Sequence, residues 1–334
     1  MADRAAAIVE FLVASGWGGA TPVPLAGDAS FRRYHRLNRA GRTALLMDAA
    51  PPQENVLPYL AVAKVLRDLG FSAPAILATD AEKGLLIIED FGDETYTRML
   101  AAGGDERALY ALAVDVLVAL HGRFTPQTAP ELPPYDDARL LNEAALLVDW
   151  YLPAVTGRPT PADLRADYLD LWRTLFPVAR AVPASLVLRD YHVDNLMRVT
   201  GRAATAACGL LDFQDAVLGP VSYDLVSLLE DARRDVAPAL GEEMCARYLA
   251  AFPELDRGAF AASYAVLGAQ RNCKIVGIFT RLDRRDRKRA YLAHIPRVWR
   301  LIEQDLRHPA LAPMRRWFDR HIPPDRRIAP KPAS

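Results

Sequence analysis

Apolar and polar positions follow two different periods along the chain, and the change of period divides it. Ala2 to Ser15 carry helix-period spacing and predict an opening helix. A polar loop, Gly27-Asp28-Ala29-Ser30, comes next. Two strand-like runs follow it, Phe31 to Leu37 and Thr43 to Asp48, split by the turn signal Asn38-Arg39-Ala40-Gly41. Glu54 to Leu69 places apolar residues at Val56, Leu60, Ala63 and Leu66, which predicts an amphipathic helix stopped by Gly70. Ala75 to Ala78 and Gly84 to Ile88 form a further strand pair joined through Asp80-Ala81-Glu82-Lys83.

Beyond Glu94 the helical period dominates. Arg107 to Leu120, Ala138 to Leu152, Pro161 to Phe176, Ala237 to Ala251, Arg257 to Arg281 and Lys288 to Leu306 are predicted helices, the last kinked or split at Pro296. One β-rich island interrupts them: Ser185 to Leu188, Leu196 to Thr200 and Ala207 to Leu211. The segment from Ile322 is rich in Pro and Arg and is expected to be a loosely held tail. The expected organisation is α+β, with a small antiparallel-sheet part at 1–92, a mostly helical part at 93–321 and a tail at 322–334.

Composition narrows the function classes. The chain has 334 residues, about half of them hydrophobic, and its 41 basic residues balance 41 acidic ones. The one basic cluster, Arg281 to Arg289, is broken by Asp283 and Asp286, so no nucleic-acid partner is expected. Cys208, Cys245 and Cys273 are odd in number and far apart. They support neither a disulfide framework nor a zinc site, and suit a reducing compartment. Met1 to Gly16 mixes charge with apolar residues and lacks the pattern of a secretory signal. No apolar window is long enough to span a bilayer. The expectation is a cytoplasmic protein with no membrane partner and no obligate protein partner.

The island carries the chemistry. In Leu188-Arg189-Asp190-Tyr191-His192-Val193-Asp194-Asn195 an Asp precedes an Asn by five residues. This is the spacing of a kinase catalytic loop, where the Asp accepts the acceptor-hydroxyl proton and the Asn holds magnesium. Gly209-Leu210-Leu211-Asp212-Phe213 is an apolar strand ending on a carboxylate, a placement suited to a hard cation with oxygen ligands. The plainer reading of Asp212, a turn cap ahead of Gly219-Pro220, stays open at this point.

These pieces, with Leu210-Leu211-Asp212-Phe213-Gln214-Asp215-Ala216 and Tyr223-Asp224-Leu225, resemble the aminoglycoside phosphotransferase and choline kinase superfamily. Within it the chain is most similar to the bacterial kinases that phosphorylate the anomeric hydroxyl of N-acetylmuramate and N-acetylglucosamine. The resemblance covers roughly residues 24–300. It includes Pro51-Pro52-Gln53-Glu54, the connector from Leu86 to Gly92, and Gln270-Arg271-Asn272-Cys273-Lys274. It implies a bilobal protein-kinase-like fold, with ATP and Mg2+ as cofactors and a small sugar as substrate. It assigns Asp190 to catalysis, and Asn195 and Asp212 to the metal. It gives Glu89, Asp90 and Phe91 to the adenine, and the loop with Gly27, Ser30, Arg32 and Arg33 to the phosphates.

Two departures follow from the same resemblance. The strand Thr43 to Asp48 offers no phosphate-pairing Lys, and Met47 stands near its place. An arginine of the Gly27 to Arg33 loop is the expected substitute. Strand alternation lets only one of Arg32 and Arg33 face the nucleotide, and Arg33 is preferred. Leu188 also replaces the His that usually opens the loop.

For the acceptor, Gln270, Lys274, Gly277 and Arg281 recur at helical spacing as a basic, amide-bearing stripe. Such a stripe suits an uncharged or anionic acceptor with amide and hydroxyl groups, and equally an ordinary solvated face. Glu143, with Trp150 nearby, offers a carboxylate beside an aromatic wall. His192 and Asp194 touch the acceptor or hold the loop. Asp224 is read as orienting the catalytic loop, Asp215 as lying behind the metal, and His121 as structural. Three functions remain in view: an anomeric kinase for N-acetylated amino sugars in cell-wall recycling, a phosphotransferase for an aminoglycoside or choline-like alcohol, and a non-catalytic ATP-binding regulator.

Overall fold

Ala40 and Gly41 shape the first hairpin. Both have positive φ (50° and 76°), the turn geometry whose twist matches two antiparallel strands. Strands β2 (Arg33–Arg39) and β3 (Arg42–Asp48) therefore pair in register from Arg39↔Arg42 to Arg33↔Asp48. With β1 (Val23–Pro24), β4 (Ile76–Asp80) and β5 (Leu85–Ile88) they form an antiparallel sheet in the order β1-β2-β3-β5-β4.

In this computed structural model, residues 2–25, 32–129 and 131–332 are described. Gly27, Ser30 and Phe31 lie outside them. Packing groups the chain into two compact units, 1–116 with 193–216 and 117–192 with 217–334. The border at residue 116 falls beyond the change of hydrophobic period at residue 92.

Alternation gives the sheet of the first unit two faces. Leu37, Ala44, Leu46, Leu85 and Ile87 pack under Phe11 and Leu12 of the helix Ala2–Ala14 and under Trp17. Leu45, Met47, Leu86 and Ile88 take the other face. The helix Leu57–Asp68 starts three residues later than expected, where the Asn55 side chain accepts the Leu57 N–H at 3.0 Å and Pro58 occupies the first turn. Beyond it, β7 (Leu196–Arg198) pairs with β8 (Cys208–Leu210).

The second unit is built on one helix, Arg257–Asp286, about 45 Å long at 1.5 Å per residue. Asp256 caps it by accepting the Gly258 and Ala259 N–H groups at 2.8 and 3.0 Å. At Gly277 any Cβ would sit about 2.3 Å from the Leu146 backbone, so only glycine permits this approach. The helix Asp137–Leu146 opens into a π-turn, Leu147–Tyr151, directly after that contact.

Three expectations need correction, and a fourth, the split at Pro296, is met just ahead of that residue. The island is not one hairpin group, because β6 (Ala184–Val187) pairs with an unread strand, β9 (Val217–Pro220). Gly219-Pro220 reads as a turn in sequence, yet it occupies the terminal register opposite Ser185 and Ala184, where proline is tolerated. Pro296 starts the helix Ile295–Asp305, since a first-turn residue needs no N–H partner; the predicted split falls just before it. The tail is anchored. Arg327 donates to Glu303 and Asp319 at 2.9 and 2.7 Å, and the Ile328 N–H donates to the Tyr151 hydroxyl at 3.1 Å.

Beneath the long helix lies a pair of buried carboxyls. Burial pushes Glu230 up to about 7, and burial together with the Glu230 charge pushes Asp305 well up. Asn272 Nδ2 donates to both, at 2.7 and 3.3 Å. Both folded values are raised, so the folded chain binds more protons than the unfolded one. The stabilisation is complete below the ordinary carboxylate range and is lost as pH rises through about 7 and beyond. Tm is therefore expected to fall by about 3–6 °C between about pH 6 and pH 8.5, measured by differential scanning calorimetry. Asp305→Asn should flatten that slope without abolishing it, since Asp224 is raised in the same way. An equally steep slope in Asp305→Asn would rule out Asp305 as a source of it.

Candidate active site

Within the first unit a cavity of about 500 Å3 opens on the face of the sheet away from the opening helix. That volume suits a nucleotide-sized ligand. Leu45 and Ile88, opposite each other in register, form its apolar floor with Pro74. Arg32, just ahead of β2, and Tyr34 and Arg36 on one face of β2 line it, as alternation requires. Glu89, Asp90 and Phe91, expected at the adenine, line one side. Asn195 and Asp212, expected at the metal, line another. A second cavity of about 620 Å3, lined by Tyr135, Arg180 and Leu218 among others in the second unit, carries none of the expected site residues.

The connector after β5 is fixed by side chains. Asp90 accepts from Arg36 Nε at 2.7 Å and from the Gly92 N–H at 2.9 Å, while Arg36 also donates to Asp93 at 2.9 Å. The Asp93 and Asp90 carboxylates raise the Arg36 guanidinium above its already high ordinary value. Glu89 accepts the Ala75 N–H at 3.1 Å and an Arg202 guanidinium. Arg202 lies over the Phe91 ring, 5.2 Å from its centroid. The carboxylates of Glu89 and Asp90 thus hold the backbone of the connector in shape. The partners of Arg36 lie 54 and 57 residues away, so no local pattern in the sequence links them.

The β7–β8 ribbon brings the metal candidates together. The Leu211 N–H donates to the Asn195 carbonyl at 3.0 Å, which sets Asn195 beside the end of β8. Asp212 has φ of 56°, a conformation an L-residue holds only under constraint. The next residue supplies that constraint: Phe213 is fully buried and stacks on Tyr59 with ring centroids 4.9 Å apart. The Asp212 side chain is half exposed, accepts from Gln214 Nε2 at 2.8 Å, and lies 3.9 Å from Arg32. Among the described residues no three His, Cys, Asp or Glu side chains cluster as a metal cage. Two oxygen donors on one cavity wall fit a Mg2+ ion that takes its remaining ligands from phosphates and water.

Of the phosphate-side arginines, Arg32 lines the cavity. Arg33, the preferred one, is exposed on β2 in register with Asp48. Asp194 accepts from the Thr97 hydroxyl in the short helix Tyr96–Ala101, an element the sequence reading passed over.

Asp190 belongs to the second unit. Its loop is held by Asp224, which accepts the N–H groups of Leu188 and Arg189 at 2.6 and 2.9 Å. This matches the orienting role read from sequence. Burial pushes Asp224 up to about 7 despite those bonds. Burial also pushes Asp190 upward, but Lys274, His192, Arg271 and Arg189 overcome it and hold the carboxyl below its ordinary value. Burial lowers His192.

Glu143, Gln270 and Lys274 come together, although not as an open face. Tyr135 donates to Glu143 at 2.5 Å, and Arg189 pairs with the same carboxylate. Lys274 Nζ lies 3.5 Å from Glu143 and donates to the Tyr223 hydroxyl at 3.2 Å. Gln270 Nε2 donates to the Leu140 carbonyl at 2.9 Å. Of the stripe expected along Gln270, Lys274, Gly277 and Arg281, the first three are buried, because that side of the helix packs inward, and Arg281 is half-buried. His121 is half-buried, its imidazole pushed down to about 3 by desolvation, with Nδ1 2.7 Å from the Tyr248 hydroxyl.

An antiparallel sheet bearing a nucleotide-sized cavity, an Asp-x4-Asn loop and a carboxylate released at a strand end together define a small-molecule kinase of protein-kinase-like fold. The chain belongs to the phosphotransferase enzyme family (APH), which its residues 21–261 match. It is 38% identical to an N-acetylmuramate/N-acetylglucosamine kinase of Caulobacter vibrioides, over 97% of this chain and 98% of that one. It is 37% identical to a kinase of the same name from Pseudomonas aeruginosa, covering 91% and 90%. The choline kinase LicA of Streptococcus pneumoniae shares the fold with a TM-score of 0.61 at 12% identity, over 93% of this chain and 99% of that one.

Proposed function

We propose that the protein transfers the γ-phosphoryl of ATP to the anomeric hydroxyl of N-acetylmuramate or N-acetylglucosamine, in the cytoplasm, returning cell-wall sugars to metabolism. The observation that carries this is the relationship to two kinases so named, at 37–38% identity over more than nine-tenths of the chain. In the division by role, residues 1–92 serve the nucleotide, 93–321 supply the catalytic and acceptor groups, and 322–334 form the tail. Asn195 and Asp212 hold Mg2+, which supplies charge neutralisation at the phosphates.

Asp190 takes the acceptor proton. Its carboxyl is kept ionised by neighbouring cations, so it is a weak base that orients the hydroxyl and receives the proton late, as a loose phosphoryl-transfer transition state asks. An anomeric hydroxyl suits such a base, because the ring oxygen makes it more acidic than an ordinary alcohol. The charge around Asp190 also sorts acceptors. Lys274, Arg271 and Arg189 make a setting that favours an anionic or neutral sugar and disfavours polycationic aminoglycosides. The acceptor role read from sequence for Glu143, Gln270, His192, Lys274 and Asp194 goes with this reading.

The test is ADP release with N-acetylmuramate, N-acetylglucosamine, an aminoglycoside and choline, followed by phosphorus NMR of the product. Turnover with the amino sugars and a phosphate on the anomeric carbon are expected. Phosphate on another carbon, or turnover only with a cationic alcohol, removes the proposal.

A further inference from the structure

The strand that should carry a phosphate-pairing lysine cannot supply one. On β3, Leu45 lines the cavity, and alternation places Met47 on the same face, while Ala44 and Leu46 join the core beneath the opening helix. Register agrees, since Met47 stands opposite Tyr34, another cavity residue. A fully buried thioether has no proton to donate to phosphate.

We propose that Arg32, braced by Glu54, is the cation that clamps the nucleotide phosphates in this chain. This rests on the reading that ATP is the donor and is independent of the acceptor. Arg32 Nε donates to Glu54 Oε2 at 3.0 Å, and both side chains are nearly nine-tenths buried. Another guanidinium nitrogen lies 3.9 Å from Asp212 Oδ1, so the head of Arg32 reaches the carboxylate assigned to the metal. Glu54 offsets the cost of burying the positive charge and fixes the direction of the planar head. The planar guanidinium fork matches phosphate oxygens. In a kinase the strand lysine pairs with a helix glutamate. Here the cation has moved to the residue just ahead of the neighbouring strand β2, and its carboxylate partner lies just ahead of the helix Leu57–Asp68.

Direct calorimetry with adenosine and with ADP, no sugar present, tests this. Arg32→Ala is expected to weaken ADP about 10- to 100-fold and to leave adenosine within about twofold. Arg32→Gln, which retains a hydrogen-bond donor for Glu54 without the charge, should lose ADP to a similar degree and covers the case in which alanine unfolds the chain. In Arg32→Ala, adding Met47→Lys should recover at least about tenfold of the lost ADP affinity, because it restores a cation on the same face. Unaltered ADP affinity in both Arg32 variants overturns the proposal. So does an equal loss of adenosine and ADP, or a loss produced by Arg33→Ala in place of Arg32→Ala. A failure to phosphorylate amino sugars leaves these ADP measurements intact, so the two readings fail separately.

Discussion

Asp190→Asn is expected to lower kcat about 10²- to 10⁴-fold, the range for losing a positioned proton acceptor. Nucleotide affinity should stay within about twofold. An amide can still hydrogen-bond an acceptor hydroxyl, but it cannot take its proton. It also removes one negative charge from beside Lys274 and Arg271, so Tm should be checked alongside kcat. Glu143 continues to pair with Lys274 and limits that loss. The pH profile of the native enzyme gives an independent check. The folded value of Asp190 lies below the ordinary carboxylate range, so the acid limb of kcat/KM that it governs should fall below about pH 4. A folded Asp190→Asn protein turning over at the native rate would remove the residue from catalysis.

Much of this arrangement is written locally and was therefore legible. The Ala40-Gly41 turn and the alternation on either side give the β2–β3 hairpin. The Asp190–Asn195 spacing and the strand ending on Asp212 give the candidate chemistry. Non-local partners were not legible. Glu54 is 22 residues from Arg32, and nothing in either neighbourhood announces the pair. β9 hid behind Gly219-Pro220, because turn residues at a strand's terminal register look the same in sequence as turn residues in a loop. The helix Arg257–Asp286 exposes a general limit. Its period identifies a stripe of Gln270, Lys274 and Gly277, but a helix packed on several sides hides even its polar stripe. The buried glutamate that makes Lys274 tolerable there comes from another helix, more than a hundred positions earlier in the chain.

Asp212→Ala is expected to abolish the magnesium dependence of ATP binding, leaving only the weaker metal-free affinity. Mg2+ keeps several waters and takes few protein ligands, so each protein oxygen carries a large share of its retention. Asn195 is neutral, which leaves Asp212 as the charged member of the pair lining this cavity wall. The geometry around Asp212 also argues for function over turn-capping. Its left-handed backbone is held by buried Phe213 stacked on Tyr59, while its side chain stays half exposed toward the cavity. A mere turn at this position would relax toward glycine or asparagine at no cost. Alanine removes the carboxylate and gives no relief of the positive φ, so part of any stability loss is backbone strain. Asp212→Asn separates the two effects, since asparagine tolerates that conformation and lacks only the charge. Calorimetric titration of ATP with and without Mg2+ reads the result directly. The native protein should gain affinity on adding the metal, and both variants should gain none. If Asp212→Asn keeps the full metal-dependent gain, the carboxylate is not a ligand and the strand-end assignment fails with it.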